Sequence, residues 1–315
     1  MQHPDMMPQN KALAGQGNSA TEFKLGIFLV AAAAIVWSFG GFFGRIVTVE
    51  DSWTVIFWRS VWASLFLLAF MLVRDKPKGT VNIFRTMGWP GICVALCFAC
   101  ASTSFVVALQ YTSVANILLI QAGAPLLAAL IAWILFREKA SLPTWIAIFV
   151  VIFGVSIMVS ESFAGEVSPI GDLLALILTL CFAIATVITR RYAHVRMLPA
   201  VCLGTMIAAV LSGFMASSLV TSAYDAGILV AFGALNLGLG LALFVTGARL
   251  LPSPIAALIS TAEPMLGPLW VWILLNETPT KFTLIGGAII LIAILAHLTW
   301  QLIHHRRVMV VATPN

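Results

Sequence analysis

Ten apolar stretches follow one another along the chain with only short polar breaks between them. They lie at approximately 25–47, 53–73, 87–109, 113–136, 143–160, 170–190, 197–219, 226–248, 252–275 and 282–303. A helix needs about 20 apolar residues to cross the hydrocarbon layer. Strands of an outer-membrane barrel would instead alternate in polarity over about ten residues, and no such alternation is present. The pattern predicts an all-α integral membrane protein with ten transmembrane helices, successive ones packed as antiparallel hairpins through short connections. The first run continues from Leu25 past Ala31 and Ala34 to Trp37 and Phe43, so it reads as a retained span and not a cleaved leader. Residues 1–24 are polar and poor in aromatics, the composition of a disordered tail; residues 304–315 form a second tail.

The chain also repeats itself. Shifted by 139 positions, Leu119–Ile146 matches Leu258–Ile285 at eleven of twenty-eight positions, including Pro125 with Pro264, Trp133 with Trp272 and Glu138 with Glu277. Residues 25–160 and 170–303 therefore read as two related halves of five helices each. Five is odd, so the second half enters the bilayer inverted relative to the first. Inverted repeats can exchange conformations, opening a central site to one side and then to the other. A larger bundle without moving parts is the alternative.

Composition agrees with a membrane location, with 61% apolar residues and only 9% charged. Ordinary soluble domains carry roughly 25% charged residues. The net charge of +5 points to asymmetric loops and not to nucleic acid, because fourteen of the seventeen Lys and Arg fall on the side of the amino terminus. Only Arg45, Arg59 and Lys281 lie on or near the other side, with the acidic Glu50, Asp51, Glu161, Glu166, Asp172 and Asp225. Both termini are expected in the cytoplasm.

Polar groups at mid-depth supply the candidate chemistry. Glu263 precedes Pro264 near the middle of the ninth run, where a charge costs roughly 2.5–3.5 kcal/mol on insertion scales. It reads as a carboxylate facing a watery cavity, binding a cationic group or exchanging a proton, or as a protonated group locking two helices. Pro125 and Pro264 release the carbonyls of Gln121 and Ser260 from helical bonding. Such paired breaks at equivalent repeat positions point to a transporter site. Ser38, Ser102, Thr103, Gln121, Thr179 and Asn236 lie at similar depth and together suggest a lined pathway, although each alone reads more readily as an interhelical hydrogen bond. Arg59 lies roughly 9 Å inside the second helix. It is either a snorkelling side chain or a gate or anion contact, with Glu263 one possible partner. Arg45, at the end of the first helix, reads as a surface anchor. No HExxH, Walker motif or catalytic dyad is present, and no cofactor or metal is expected.

The runs WSFGGFFGR (Trp37 to Arg45), FWRS (Phe57 to Ser60), Ala108 to Lys139 and Ile255 to Pro279 resemble the drug/metabolite transporter superfamily, specifically its ten-helix EamA type, and the second-half pattern is similar to YddG-type amino-acid exporters. The resemblance covers residues 25–303. It implies two inverted five-helix repeats, a pathway between helices one, three, four, six, eight and nine, and a bacterial inner-membrane exporter of amino acids and related small metabolites. Trp37, Ser38, Gln121 to Pro125 and Ser260 to Pro264 occupy the matching positions. The first run lacks the glutamate that small multidrug members use for proton exchange. The expected function is a secondary carrier of a small metabolite working by alternating access. Alternatives are an efflux carrier for multiple drugs and aromatic cations, or an intramembrane enzyme or sensor.

Overall fold

The apolar runs fold as helices throughout. A computed structural model describes residues 9–137, 141–163 and 168–311. In chain order the elements are α1 (Gln9–Ser38), α2 (Gly40–Ile46), α3 (Ser52–Thr86), α4 (Gly88–Ala108), α5 (Val114–Ala122), α6 (Ala124–Phe136), α7 (Leu142–Phe163) and α8 (Pro169–Arg191). There follow α9 (Leu198–Met215), α10 (Ala223–Val230), a π-helix (Ala231–Leu239), α11 (Gly240–Ala248), α12 (Ser253–Ser260), α13 (Ala262–Leu275) and α14 (Lys281–Val311). Among the described residues nine stretches are long and apolar enough to cross a bilayer, and α5 with α6, bent by 41°, make a tenth.

Helix α1 begins at Gln9, upstream of the apolar run, where composition alone argues for a disordered tail. Extending an existing helix avoids the cost of nucleation, which favours continuation outward from a folded span. Likewise α14 runs on past the apolar limit to Val311. Helix α3 outlasts its span as well, continuing beyond a kink at Lys76, which takes a left-handed φ of 60° just before Pro77.

The internal repeat is visible in backbone detail. Helix α6 ends at Arg137 with φ 54°, and α13 ends at the equivalent Asn276 with φ 56°. Their N–H groups return to repeat-equivalent carbonyls, Arg137 to Trp133 at 3.0 Å and Asn276 to Trp272 at 3.1 Å. Both helices are also interrupted on the amino-terminal side of the paired prolines, at Gly123 and at Thr261. Glu138, the repeat partner of Glu277, lies outside the described residues, as does Glu166.

Within a bilayer, helices associate by close packing of small residues more than by burying apolar surface. Helices α7 and α14 cross at two facing glycines: a Cβ on Gly286 would sit 2.5 Å from the Gly154 carbonyl oxygen, and one on Gly154 would sit 2.9 Å from that of Gly286. Gly40 and Gly44 admit neighbours in the same way, Gly44 against Leu109 and Gly40 against Asn236. The largest apolar cluster gathers Ile56, Ile117, Leu126, Leu178, Phe232 and Ile290 from both halves.

Candidate functional site

Call the end of the bundle carrying Arg45 the upper end. Here a chain of polar contacts ties the two repeats together. Arg45 Nε donates to Glu277 Oε2 at 2.7 Å and its Nη2 to Oε1 at 3.3 Å, while the same guanidinium donates to the carbonyls of Leu109 and, at 2.7 Å, Thr112. Glu277 Oε1 also accepts from the Val114 N–H at 2.8 Å, at the first residue of α5. One ion pair thus clamps the ends of α2 and α13 onto the α4–α5 turn. Beside it the buried Asn116 donates to Asp172 on α8 and, at 3.0 Å, to Thr112 Oγ1.

Two further carboxylates close the rim. Asp225 Oδ1 and Oδ2 accept from Thr48 N–H and Oγ1, each at 2.8 Å, and Oδ2 also accepts from Ser222 Oγ at 2.7 Å. Asp51 accepts from the Trp53 N–H at 3.0 Å, from Thr54 Oγ1 at 2.9 Å, and from Ser217 N–H and Oγ at 2.9 and 3.0 Å. Burial pushes the Asp51 carboxyl up, but the hydrogen bonds from Ser217, Trp53 and Thr54 outweigh it and hold the group below the usual aspartate range.

The lower end is built differently although the sequence repeats. From Val114 to Ile120, every residue of α5 is buried, and α5 packs against α13, α8 and α14. In the repeat-equivalent α12, only Ala256 is buried among residues 255–260, and α12 makes no comparable contact with α6. Helices four and nine of the bundle therefore meet at the upper end and part at the lower one.

The residues singled out in the sequence divide by what their polar atoms do. Ser38 is buried, donates to the Ile35 carbonyl at 2.6 Å and accepts from Trp270 Nε1 at 2.8 Å, so it joins α1 to α13. Asn236 donates to the Val36 carbonyl at 2.5 Å, and Thr179 to Ala175 in its own helix at 2.6 Å. Ser260 and Thr261, both half-buried, return their hydroxyls to Ala256 and Leu258 at 2.9 and 2.6 Å. Trp37 is half-buried, its ring 5.2 Å from Phe244. Arg59 and Ser102 are brought together, Nη1 to Oγ at 2.8 Å. No ion pair links Arg59 to Glu263. Pro125 is exposed and Pro264 buried. Gln121 and Glu263 stand apart: both are half-buried, and neither side chain has a hydrogen-bond partner among the described residues.

The same arrangement of helices occurs in known structures. Seventeen solved chains match this one. One of them, described only as a crystal structure of a protein, has a TM-score of 0.64 and 19% identity, covering 88% of this chain and 97% of its own. That likeness fixes the fold and nothing more. No curated protein sequence matches. The EamA-like transporter family matches twice, over residues 24–160 and 169–299. The chain belongs to the EamA-like transporter family. With two family repeats along the chain, the protein is a multi-pass membrane transporter of the drug/metabolite superfamily.

In this EamA-like transporter, four polar residues play parts that the sequence did not reveal. Arg45 is not a surface anchor: its hydrogen-bonded head is only about a quarter exposed, at 27%. Glu277 carries the closure, and the signal for it was its recurrence with Glu138 at the matching end of each repeat. Asp172 and Asp225, read only as outer-side charges, are each 2% exposed; Asp172 accepts from Asn116, and Asp225 gathers Thr48 and Ser222.

Proposed function

We propose that this transporter is a secondary carrier that exports amino acids and related small metabolites across the bacterial inner membrane by alternating access. The observation that carries the proposal is the unequal state of two equivalent segments, α5 buried from Val114 to Ile120 and α12 mostly half-buried from Ile255 to Ser260. Related halves of inverted orientation should be interchangeable in conformation, so the inequality reads as one of two exchangeable states. The excess of basic residues at the lower end supports a cytoplasmic placement for it, and with it an inward-facing state with both termini inside.

In that reading Glu263 and Gln121, half-buried and with no side-chain hydrogen-bond partner among the described residues, are the polar groups offered to a solute entering from the cytoplasm. A carboxylate and an amide at that depth suit the α-ammonium group of a zwitterion. Counterflow in proteoliposomes with a panel of amino acids at several imposed pH gradients tests the proposal. Amino-acid flux that persists without a gradient supports facilitated export; exchange that requires a gradient supports proton coupling. Flux of planar cationic dyes with none of amino acids would favour drug efflux, and no solute flux at all would contradict the carrier.

A further inference from the structure

Arg59 differs from every other described basic residue of the chain. The others lie at or outside the ends of the apolar runs, whereas Arg59 is well within one, seven residues into α3 and roughly 10 Å along the helix axis from Ser52. It is 94% buried, being only 6% exposed. Its environment supplies one neutral hydrogen bond, from Nη1 to Ser102 Oγ at 2.8 Å, and two aromatic faces. The guanidinium carbon lies 4.4 Å from the centroid of Phe232 and 5.6 Å from that of Phe105. No carboxylate lies within 4 Å among the described residues, and the Nε donor has no partner.

Snorkelling does not explain this placement. A snorkelling arginine sends its head to the bilayer surface. Here the hydrogen-bond partner and the nearer ring sit well inside spans, Ser102 six residues before the end of α4 and Phe232 nine residues beyond the start of α10, and only Phe105 lies closer to the upper end. Nor does fold stability require it, because a buried charge without a counter-charge destabilises a protein. The guanidinium is a planar five-donor group matched to two-oxygen anions, and at most one donor is used here.

The backbone around it is irregular as well. Phe232 belongs to the nine-residue π-helix Ala231–Leu239, a form otherwise found mostly as short bulges and frequently at functional sites. That π-helix presses on α3 at the same level: a Cβ on Gly233 would lie 2.3 Å from the Arg59 carbonyl oxygen. An irregular helical segment, an aromatic pair and an uncompensated cation therefore converge between α3, α4 and the π-helix.

We propose that Arg59 anchors the carboxylate of the transported solute, receiving it between Phe105 and Phe232 as the upper end opens, so that the carrier selects solutes bearing a carboxylate. This rests on the carrier reading above and adds to it the anionic half of substrate recognition.

The test is counterflow in proteoliposomes with L-alanine, L-leucine, L-phenylalanine and L-threonine, each compared with its α-amide. The wild-type protein is expected to carry acids at least about tenfold faster than amides, the discrimination typical of one charged contact. Arg59→Gln should bring the acid-to-amide ratio close to one, and Arg59→Lys should restore part of it, since the charge returns without the fork. A merely structural arginine would lower both rates and leave the ratio unchanged, which would overturn the proposal. Should Arg59→Gln fail to fold, Ser102→Ala frees the guanidinium without removing it and should raise KM for the acids with no matching rise for the amides. Equal wild-type flux of acids and amides would overturn the anchor while leaving the carrier standing; no flux of any solute would overturn both.

Discussion

Replacing Glu277 by Gln should open the upper end. The side chain keeps its shape but loses the charge that receives two bonds from Arg45, at 2.7 and 3.3 Å, and it weakens the acceptor for the Val114 N–H at 2.8 Å. Charge-assisted hydrogen bonds contribute about 1.5–3 kcal/mol when shielded, and exposed ion pairs about 0.2–1 kcal/mol. The pair here lies between these limits, with side chains 27% and 22% exposed. The closed state should lose about 1–2 kcal/mol relative to the open one, a change of roughly five- to thirtyfold in their ratio. Ile117 on α5 has no exposed surface in the closed arrangement. An Ile117→Cys reporter in right-side-out vesicles should therefore react with an impermeant maleimide faster by up to that factor when Glu277→Gln is added. The charge-swapped pair Arg45→Glu with Glu277→Arg should slow labelling again. An unchanged rate would show that the ion pair does not hold the upper end shut.

Glu263→Gln should lower amino-acid flux by roughly tenfold, the worth of one charge-assisted contact, with the thermal unfolding midpoint unchanged. Gly286→Ala would push a methyl against the Gly154 carbonyl oxygen at 2.5 Å. It should destabilise the protein by about 1–3 kcal/mol, read as a lower unfolding temperature. Gly227→Ala in α10, with nothing within 4 Å of its Cβ, should instead stabilise it slightly. Asp51 has a lowered pKa in the folded state, so its contribution to stability is present above the ordinary aspartate range and is lost as pH falls through that range and on through the lowered value. Asp51→Asn should lower the unfolding temperature at neutral pH and flatten its decline in acid; an undiminished acid decline would remove Asp51 as a source of it.

Apolar length and internal repetition made the architecture legible. The breaks before Pro125 and Pro264 followed from what proline does to a helix, and the left-handed ends at Arg137 and Asn276 confirm that the two halves share a backbone plan. Depth alone served less well for the site. Ser38, Thr179 and Asn236 lie at the right level, yet short bonds to carbonyls or to Trp270 occupy their polar atoms. A span's sequence gives the height of a side chain but not its azimuth, and azimuth decides whether it meets a cavity or a neighbour. Arg45 and Glu277 are 232 residues apart, so neither hydropathy nor helical spacing could pair them. The π-helix had no signature that composition could register.

The central claim is that the two ends of the bundle open in opposition. Spin labels at exposed positions test it directly, one pair at Gln110 and Asn276 across the upper end and another at Arg137 and Pro252 across the lower end. On adding a transported amino acid, pulsed dipolar spectroscopy should show the upper distance lengthening as the lower one shortens. Two distances that stay fixed, or that lengthen together, while solute flux is measurable in the same preparation would contradict alternating access.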